Sequence, residues 1–380
     1  MKVRKNKACP IRVVVGLSGG VDSSVAAALL KRAGFDVIGI MMKFWLDRRS
    51  LGEGGLGVLT NRCCSVEYEK LARLVAKKIG IPFYVVNVEN EFKKKVVDSF
   101  LKDYKNGLTP NPCVVCNKEI KFGFLIEKAL SLGADFVATG HYAQINARQS
   151  NFPAAQTSPL GVTPRLGKFI GSLRLFKGLD SQKDQSYFLW RLNQKQLSHI
   201  LFPVGGYTKQ EVRNLAKKFN LPTAETPESQ EVCFVQSTVN DFLKKYLKNK
   251  PGKIVDINGK RVGEHSGLWF YTIGQRHGLE IPQGPWYVVA KNLKKNLLIV
   301  SRNQKDLLRK EFKIKDINWI NPVKLPLSCE MKIRYKSDFV KAKVYKNGLV
   351  VFNTPQKAVT PGQSAVFYQK DELLGGGVIE

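Results

Sequence analysis

The sequence predicts an α/β domain built on a parallel sheet, followed by a small central domain and a C-terminal β-barrel. Three observations carry that prediction. Buried-strand runs alternate with helix-spaced segments through the first half of the chain. One of those strands passes without a break into a Gly-Gly turn and a helix of small residues. Beyond about Pro251 the texture changes to short strand runs separated by turn residues. The 380 residues suffice for two or three domains, and the expected divisions are 1–236, 237–283 and 284–380. No internal repeat is visible.

Taken in order, residues 11–16 form an apolar strand, and the small residues after it suit a helix over 21–33. DVIGIMMKFW, 36–45, reads as a buried second strand and the Gly-rich stretch 50–60 as a loop. In 66–79, Leu71, Leu74, Val75 and Ile79 recur at helical spacing. IPFYVVNV, 81–88, is a third strand, and 91–104 is helical again. TPNPCVVCN then interrupts the pattern at 109–117, with the next helix expected near Asn117 or Lys118. KFGFLIEKALSLG, 121–133, is amphipathic with a glycine stop, and ADFVATGHYA, 134–143, is another buried strand. Residues 146–172, rich in Gln, Ser, Pro and Thr, read as an exposed insertion, and helical spacing returns at 208–219. The tail contains KIVDINGKRVGEH, WYVVAKN, LLIVSRN, KVYKNGLVVFN and SAVFYQKDELLGGGVI, a succession of strands and turns suited to a small barrel.

The most informative stretch is IRVVVGLSGGVDSS, 11–24. Gly19 and Gly20 allow a tight, partly left-handed turn that aims successive N–H groups at one point. Hydroxyls of Ser18, Ser23 and Ser24 add donors, and the helix that follows places its positive end on the same anion. The expected phosphate cradle is Gly16, Leu17, Ser18, Gly19, Gly20, Val21, Asp22 and Ser23. It lacks the lysine of the kinase and GTPase loop and the G-x-G-x-x-G spacing of a dinucleotide fold, so a pyrophosphate cradle fits better.

Composition narrows the partners. Hydrophobic residues at 43% and charged residues at 24% are ordinary for a soluble globular protein. The charge is not: 61 Lys and Arg against 31 Asp and Glu leave +30, which suits a large polyanion such as nucleic acid. No apolar run approaches the ~20 residues of a membrane helix, and the short apolar run after the basic start leads straight into the cradle strand, unlike a signal peptide. No membrane partner and a cytoplasmic location are therefore expected.

Seven cysteines, spread unevenly, do not form a secreted disulfide framework. Cys113 and Cys116 form a C-x-x-C that no second such pair accompanies, which argues against structural zinc. A thiol at a helix N-terminus is stabilised as thiolate, which makes Cys116 the candidate nucleophile. Cys233 follows the polar turn Ser229-Gln230-Glu231, whereas Cys9 and Cys329 have no informative neighbours.

SGGVDS after a strand resembles the signature of the PP-loop ATP pyrophosphatases, which split ATP into AMP and pyrophosphate. A wider set occurs in order along nearly the whole chain: GLSGGVDSS, TPNPCVVCNKEIKFG, GHYA, KDQSYFLW, SQEVCFV, YTIGQRHGL, KIRYKS and PQKAVTPGQSAVFY. That set resembles the tRNA-specific 2-thiouridylases, which replace the 2-oxygen of the wobble uridine with sulfur. Departures are local: Cys113 stands where many members carry aspartate, Leu71 replaces an acidic residue, and the insertion at 146–172 is long.

The resemblance implies ATP and Mg2+ as cofactors, with Asp22 a candidate magnesium ligand and Met42 and Gly140 beside the adenine or ribose. It implies tRNA as partner, with Asn111, Pro112 and Cys113 facing the target base and His141, Lys183, Asp184, Gln185, Arg334, Tyr335 and Gln363 contacting the RNA. Sulfur would arrive as a persulfide on Cys233 from a cysteine desulfurase or a relay carrier, and Cys116 would act as nucleophile. An iron–sulfur cluster on Cys113, Cys116 and Cys233 is an alternative route. Two other classes stay open: a PP-loop C–N ligase acting on a small molecule, and a non-enzymatic RNA-binding protein.

Overall fold

The computed structural model describes residues 10–47, 65–147, 172–227, 232–236 and 238–380. The loop expected at 50–60, Cys9, Cys63 and Cys64 lie outside them. Five parallel strands form the first sheet: β1 (Arg12–Gly16), β2 (Asp36–Lys43), β3 (Phe83–Asn87), β4 (Phe136–Ala138) and β7 (Ile200–Leu201), in the order β3-β2-β1-β4-β7. Val13, Val14 and Val15 are fully buried, as the centre of a sheet covered on both faces requires. The chain steps outward from β1 to β3 and then returns to the other side of β1 at β4. That reversal opens a crevice at the carboxyl ends of β1 and β4.

Helices fill both faces. α1 (Val21–Arg32) follows β1, and α2 (Val66–Ile79) begins where the Ser65 side chain accepts from the Tyr68 N–H and ends at Gly80 with φ 68°. Residues 89–105 and 112–131 form two continuous helices, α3 and α4, each with a π-helical stretch, at Lys93–Val97 and Asn117–Phe124. α4 starts at Pro112 rather than near Asn117, because a proline's fixed φ suits the first helical position and its missing N–H has no partner to lose there. α5 (Lys209–Lys218) carries a full capping box between Thr208 and Glu211, and packs Val212 and Ala216 against Val25 and Leu29 of α1.

The strand expected over 134–143 is confined to Phe136–Ala138, so Thr139 to Tyr142 leave the sheet and border the crevice. β5 (Ala143–Ala147) and β6 (Leu173–Lys177) then pair antiparallel on either side of residues 148–171, which lie outside the described part. α6 (Val239–Tyr246) leads into a four-stranded sheet of β8 (Gly252–Asp256), β9 (Arg261–His265), β10 (Tyr287–Asn292) and β11 (Leu297–Ser301), ordered β10-β11-β8-β9. The expected division between 283 and 284 falls inside this sheet, since β11 pairs in parallel with β8. Strand pairing, invisible to local texture, thus carries the central unit to Ser301.

Six further strands close a barrel: β12 (Leu308–Trp319), β13 (Leu327–Lys332), β14 (Val340–Val344), β15 (Leu349–Lys357), β16 (Ser364–Gln369) and β17 (Glu372–Ile379), with β17 pairing back to β12. Closure leaves these strands no free edge. Met331, Val344, Val350 and Phe367 fill the interior. β17 also pairs with β6, which ties the first unit to the barrel. Trp190 lies against Gly376 of β17 so closely that a Cβ would sit 2.8 Å from the indole. Among the described residues no helix is long and apolar enough to cross a membrane.

Candidate functional site

The turn after β1 is shaped by its glycines. Gly19 has φ 78°, and a Cβ there would strike the carbonyl of Tyr68 on α2. Ser23 Oγ accepts from the Ser18 N–H at 3.2 Å and donates to the Gly20 carbonyl at 3.1 Å. Ser24 departs from expectation: it is buried, and its hydroxyl donates to the Gly20 carbonyl at 2.8 Å, so it braces the turn from behind. A cavity of about 190 Å³ opens above this turn. Gly16, Leu17, Ser18, Asp22, Ser23, Met42 and Gly140, all expected at the nucleotide, line it. Gly19, Gly20 and Val21 shape the turn without bordering the cavity. Gly140 permits the close approach of β4 to α1, since a Cβ would lie 2.7 Å from the Asp22 carbonyl carbon and the Ser23 nitrogen.

The positive charge absent from the loop comes from elsewhere in the fold. Lys209, the first residue of α5, places its Nζ 2.7 and 2.8 Å from the two carboxylate oxygens of Asp22. The Tyr142 hydroxyl donates to the same carboxylate at 2.7 Å. Lys209 is itself anchored, its N–H donating to Asp180 at 2.9 Å. Lys121 of α4, Phe44 and Thr139 also border the cavity. Sequence reading missed these residues. The one signal for Lys209 was the Thr-Lys-Gln-Glu capping box, which marks a helix start without saying what it faces.

The arrangement also tests the metal expectations. Both Asp22 oxygens already accept from an ammonium, so a magnesium ion at this carboxylate would share it with Lys209. Among the described residues no three His, Cys, Asp or Glu side chains converge as metal ligands, so Cys113, Cys116 and Cys233 do not form the three-donor set a cluster needs.

His141 and Gln185, expected at RNA, border the same cavity. His141 is buried, with Nδ1 2.7 Å from Thr139 Oγ1. Burial, aided by the Lys121 charge, holds its imidazole well below the usual histidine range. The unfolded chain therefore binds a proton near pH 6.5 that the folded chain refuses, and stability is lost as pH falls below that value. The loss amounts to at most ~1.4 kcal/mol per pH unit from this group. Melting temperature is expected to fall less between about pH 7 and 5 in His141→Gln than in the parent. Parallel melting curves for the two proteins would refute this.

The thiols occupy a second region beside the crevice. Because α4 begins at Pro112, Cys113 is its second residue and Cys116 its fifth. The dipole argument made for Cys116 therefore applies more directly to Cys113, yet burial pushes the Cys113 thiol up, against the opposing charge of Lys121. Cys116 is buried and Cys233 partly buried, and both pack into the same hydrophobic cluster. The connection runs through α3. α4 packs its first turn on α3, and Phe234, next to Cys233, places its ring 5.8 Å from Phe92 and 5.2 Å from Phe100 of that helix. Cys329 sits in the barrel wall with its thiol pushed up to about 12 by burial, which agrees with its bland reading.

Residues 11–237 match a family described as the tRNA methyl transferase HUP domain, 240–302 its PRC-barrel domain, and 309–379 an aminomethyltransferase beta-barrel domain. A tRNA-specific 2-thiouridylase MnmA of Carboxydothermus hydrogenoformans is 43% identical over 383 aligned residues, covering 97% of each chain. That of Thermoanaerobacter sp. is 44% identical, covering 97% of this chain and 98% of its own, and that of Streptococcus agalactiae 43%, covering 97% and 95%. The chain belongs to the tRNA-specific 2-thiouridylase family.

In this family member the other expected RNA contacts separate into two groups. Arg334 is exposed, and Lys183 is half-buried. Tyr335 meets Phe188 with ring centres 4.5 Å apart. Asp184, by contrast, is buried. Its Oδ1 accepts from the Gly178 and Ser186 N–H groups at 3.0 Å, and its Oδ2 from the Ser186 hydroxyl at 2.9 Å. It holds the turn that presents Lys183 and Gln185, and its oxygens are engaged by protein. Gln363 likewise points inward, its amide donating to the Thr109 carbonyl at 2.8 Å. Asn111 is half-buried at the start of α4, and Pro112 is buried.

Proposed function

We infer that this protein thiolates the 2-position of the wobble uridine of tRNA at the expense of ATP. Agreement with proteins named tRNA-specific 2-thiouridylase over 97% of the chain carries the reading. The cavity above the Ser-Gly-Gly turn and the net charge of +30 support it independently.

The chemistry follows from the leaving group. Oxide does not leave a uracil ring, so the 2-oxygen first attacks the α-phosphorus of ATP and pyrophosphate departs into the cradle. N–H groups of the turn, the α1 terminus, Lys209 and Lys121 would oppose the charge that develops. Magnesium would arrive bound to the nucleotide phosphates. An unpaired base in an anticodon loop can be turned outward at little cost.

The sulfur then comes from a persulfide on Cys233, loaded by a cysteine desulfurase or relay carrier. In one order of events its terminal sulfur attacks C2, AMP leaves, and the Cys116 thiolate attacks the Cys233 sulfur, so that the S–S bond breaks and the thiocarbonyl remains. In the other, Cys116 attacks first and frees hydrosulfide, which displaces AMP. Both orders end in a Cys116–Cys233 disulfide that an external thiol must reduce. The cytoplasm, where tRNA and reducing thiols coexist, is the compartment this chemistry suits.

The reading is tested by incubating the protein with unmodified tRNA, ATP, magnesium, a cysteine desulfurase and cysteine, then analysing the nucleosides by mass. Exchange of one oxygen for sulfur at the wobble uridine is expected. AMP release with a small amine acceptor and no RNA would instead identify a C–N ligase.

A further inference from the structure

We propose that the linker between α3 and α4 is a clasp through which the central domain and the barrel set the position of Asn111, Pro112 and Cys113, with Lys291 and Gln363 as positioning residues for thiolation. The proposal rests on the reading that these three residues face the target base. The linker, 106–111, joins two helices that belong wholly to the catalytic domain; the N–H groups of Asn106, Gly107 and Leu108 bond back to α3, yet the Gly107, Thr109 and Pro110 carbonyls and the Thr109 N–H are held from outside that domain. Lys291 of β10 donates from Nζ to the Gly107 carbonyl at 3.0 Å. Leu293 lies against Gly107, whose φ of 75° and lack of Cβ admit that contact. From the barrel side, the Thr109 N–H donates to the Pro361 carbonyl at 2.8 Å. The Gln363 amide bridges the Thr109 and Pro110 carbonyls at 2.8 and 3.4 Å. Gly362 sits so close that a Cβ would be 2.8 Å from the Thr109 nitrogen. Thr109 Oγ1 also lies 3.4 Å from Thr272 Oγ1.

Such a pattern has a physical consequence. A backbone segment whose carbonyls and N–H are satisfied by two other domains moves when those domains move. RNA seated on the barrel would therefore register the linker, and with it the first turn of α4. Lys291 suits the task because an ammonium at the end of α3 also meets the negative pole of that helix. A displacement on the order of 1 Å at a reacting group can cost a hundredfold in rate, so small slack in the clasp is measurable.

The test uses the full chain with saturating ATP and tRNA, comparing single-turnover thiolation and tRNA affinity in Lys291→Met, Lys291→Arg, Gln363→Glu and Asn111→Ala. Gln363→Glu keeps the side-chain size but turns a carboxylate toward two carbonyls. Lys291→Met and Gln363→Glu are each expected to slow thiolation at least about tenfold with tRNA affinity within about threefold, and Lys291→Arg to recover most of the rate. ATP affinity, read on the same samples, reports that the catalytic domain is folded. Thiolation within about twofold of the parent in both clasp variants, or a loss matched by loss of tRNA affinity, overturns the proposal. Full activity of Asn111→Ala overturns the reading beneath it, that this segment meets the target base.

Discussion

Cys116→Ser and Cys233→Ser are each expected to lower thiolation by more than about a thousandfold while ATP affinity stays within about twofold of the parent. Serine preserves the volume of the side chain, and both residues pack into a hydrophobic cluster where volume is what the fold senses. What the substitution removes is chemistry. A hydroxyl cannot carry a persulfide, and its conjugate base is too scarce near neutral pH to attack one. The two variants should differ in one respect. After exposure to a cysteine desulfurase and cysteine, Cys116→Ser should retain a persulfide detectable by mass, whereas Cys233→Ser should not. If either variant kept a tenth of parental thiolation, the two-thiol scheme would be wrong.

Lys209→Met should reduce ATP-dependent pyrophosphate release by about a hundredfold or more, with tRNA affinity unchanged. The side chain is nearly buried, and its ammonium meets the two oxygens of Asp22 and the face of Tyr142, with Nζ 5.8 Å from that ring centre. Methionine fills similar space but leaves Asp22 with the Tyr142 hydroxyl alone, so negative charge faces the site where phosphate must bind. Lys209→Arg keeps the charge and should recover part of the rate, because a planar guanidinium does not reproduce the single-point contact made by the ammonium. Pyrophosphate release in Lys209→Met within threefold of the parent would show that the cradle does not depend on this cation.

These two expectations differ in how they arose. The cysteines were singled out by resemblance: eight motifs in order pointed to one family, whereas a cysteine after a polar turn, read by itself, is more often a packed apolar residue. Lys209 was not legible. It lies 187 positions from Asp22, and nothing in its neighbourhood distinguishes it from the other lysines of a strongly basic chain. Asp184 and Gln363 illustrate the same limit from the opposite side: a charged or amide residue on a turn reads as a surface contact until the fold shows its atoms committed to backbone groups.

The sequence by itself determined the alternation that makes a parallel sheet, the turn after β1, the helix spans of 66–79 and 208–219 to within a residue or two, and the change to an all-β tail. Each of these depends on interactions among residues close along the chain, so spacing and residue type suffice. Tertiary structure alone decided where the central sheet ends, which cation meets Asp22 beside the glycine turn, that His141 and Gln185 border the cavity above that turn, and that the segment before Cys113 is gripped by two other domains. Those outcomes depend on strand pairing and packing between residues far apart in the chain, where the energy of a contact is set by burial and geometry that no local pattern encodes.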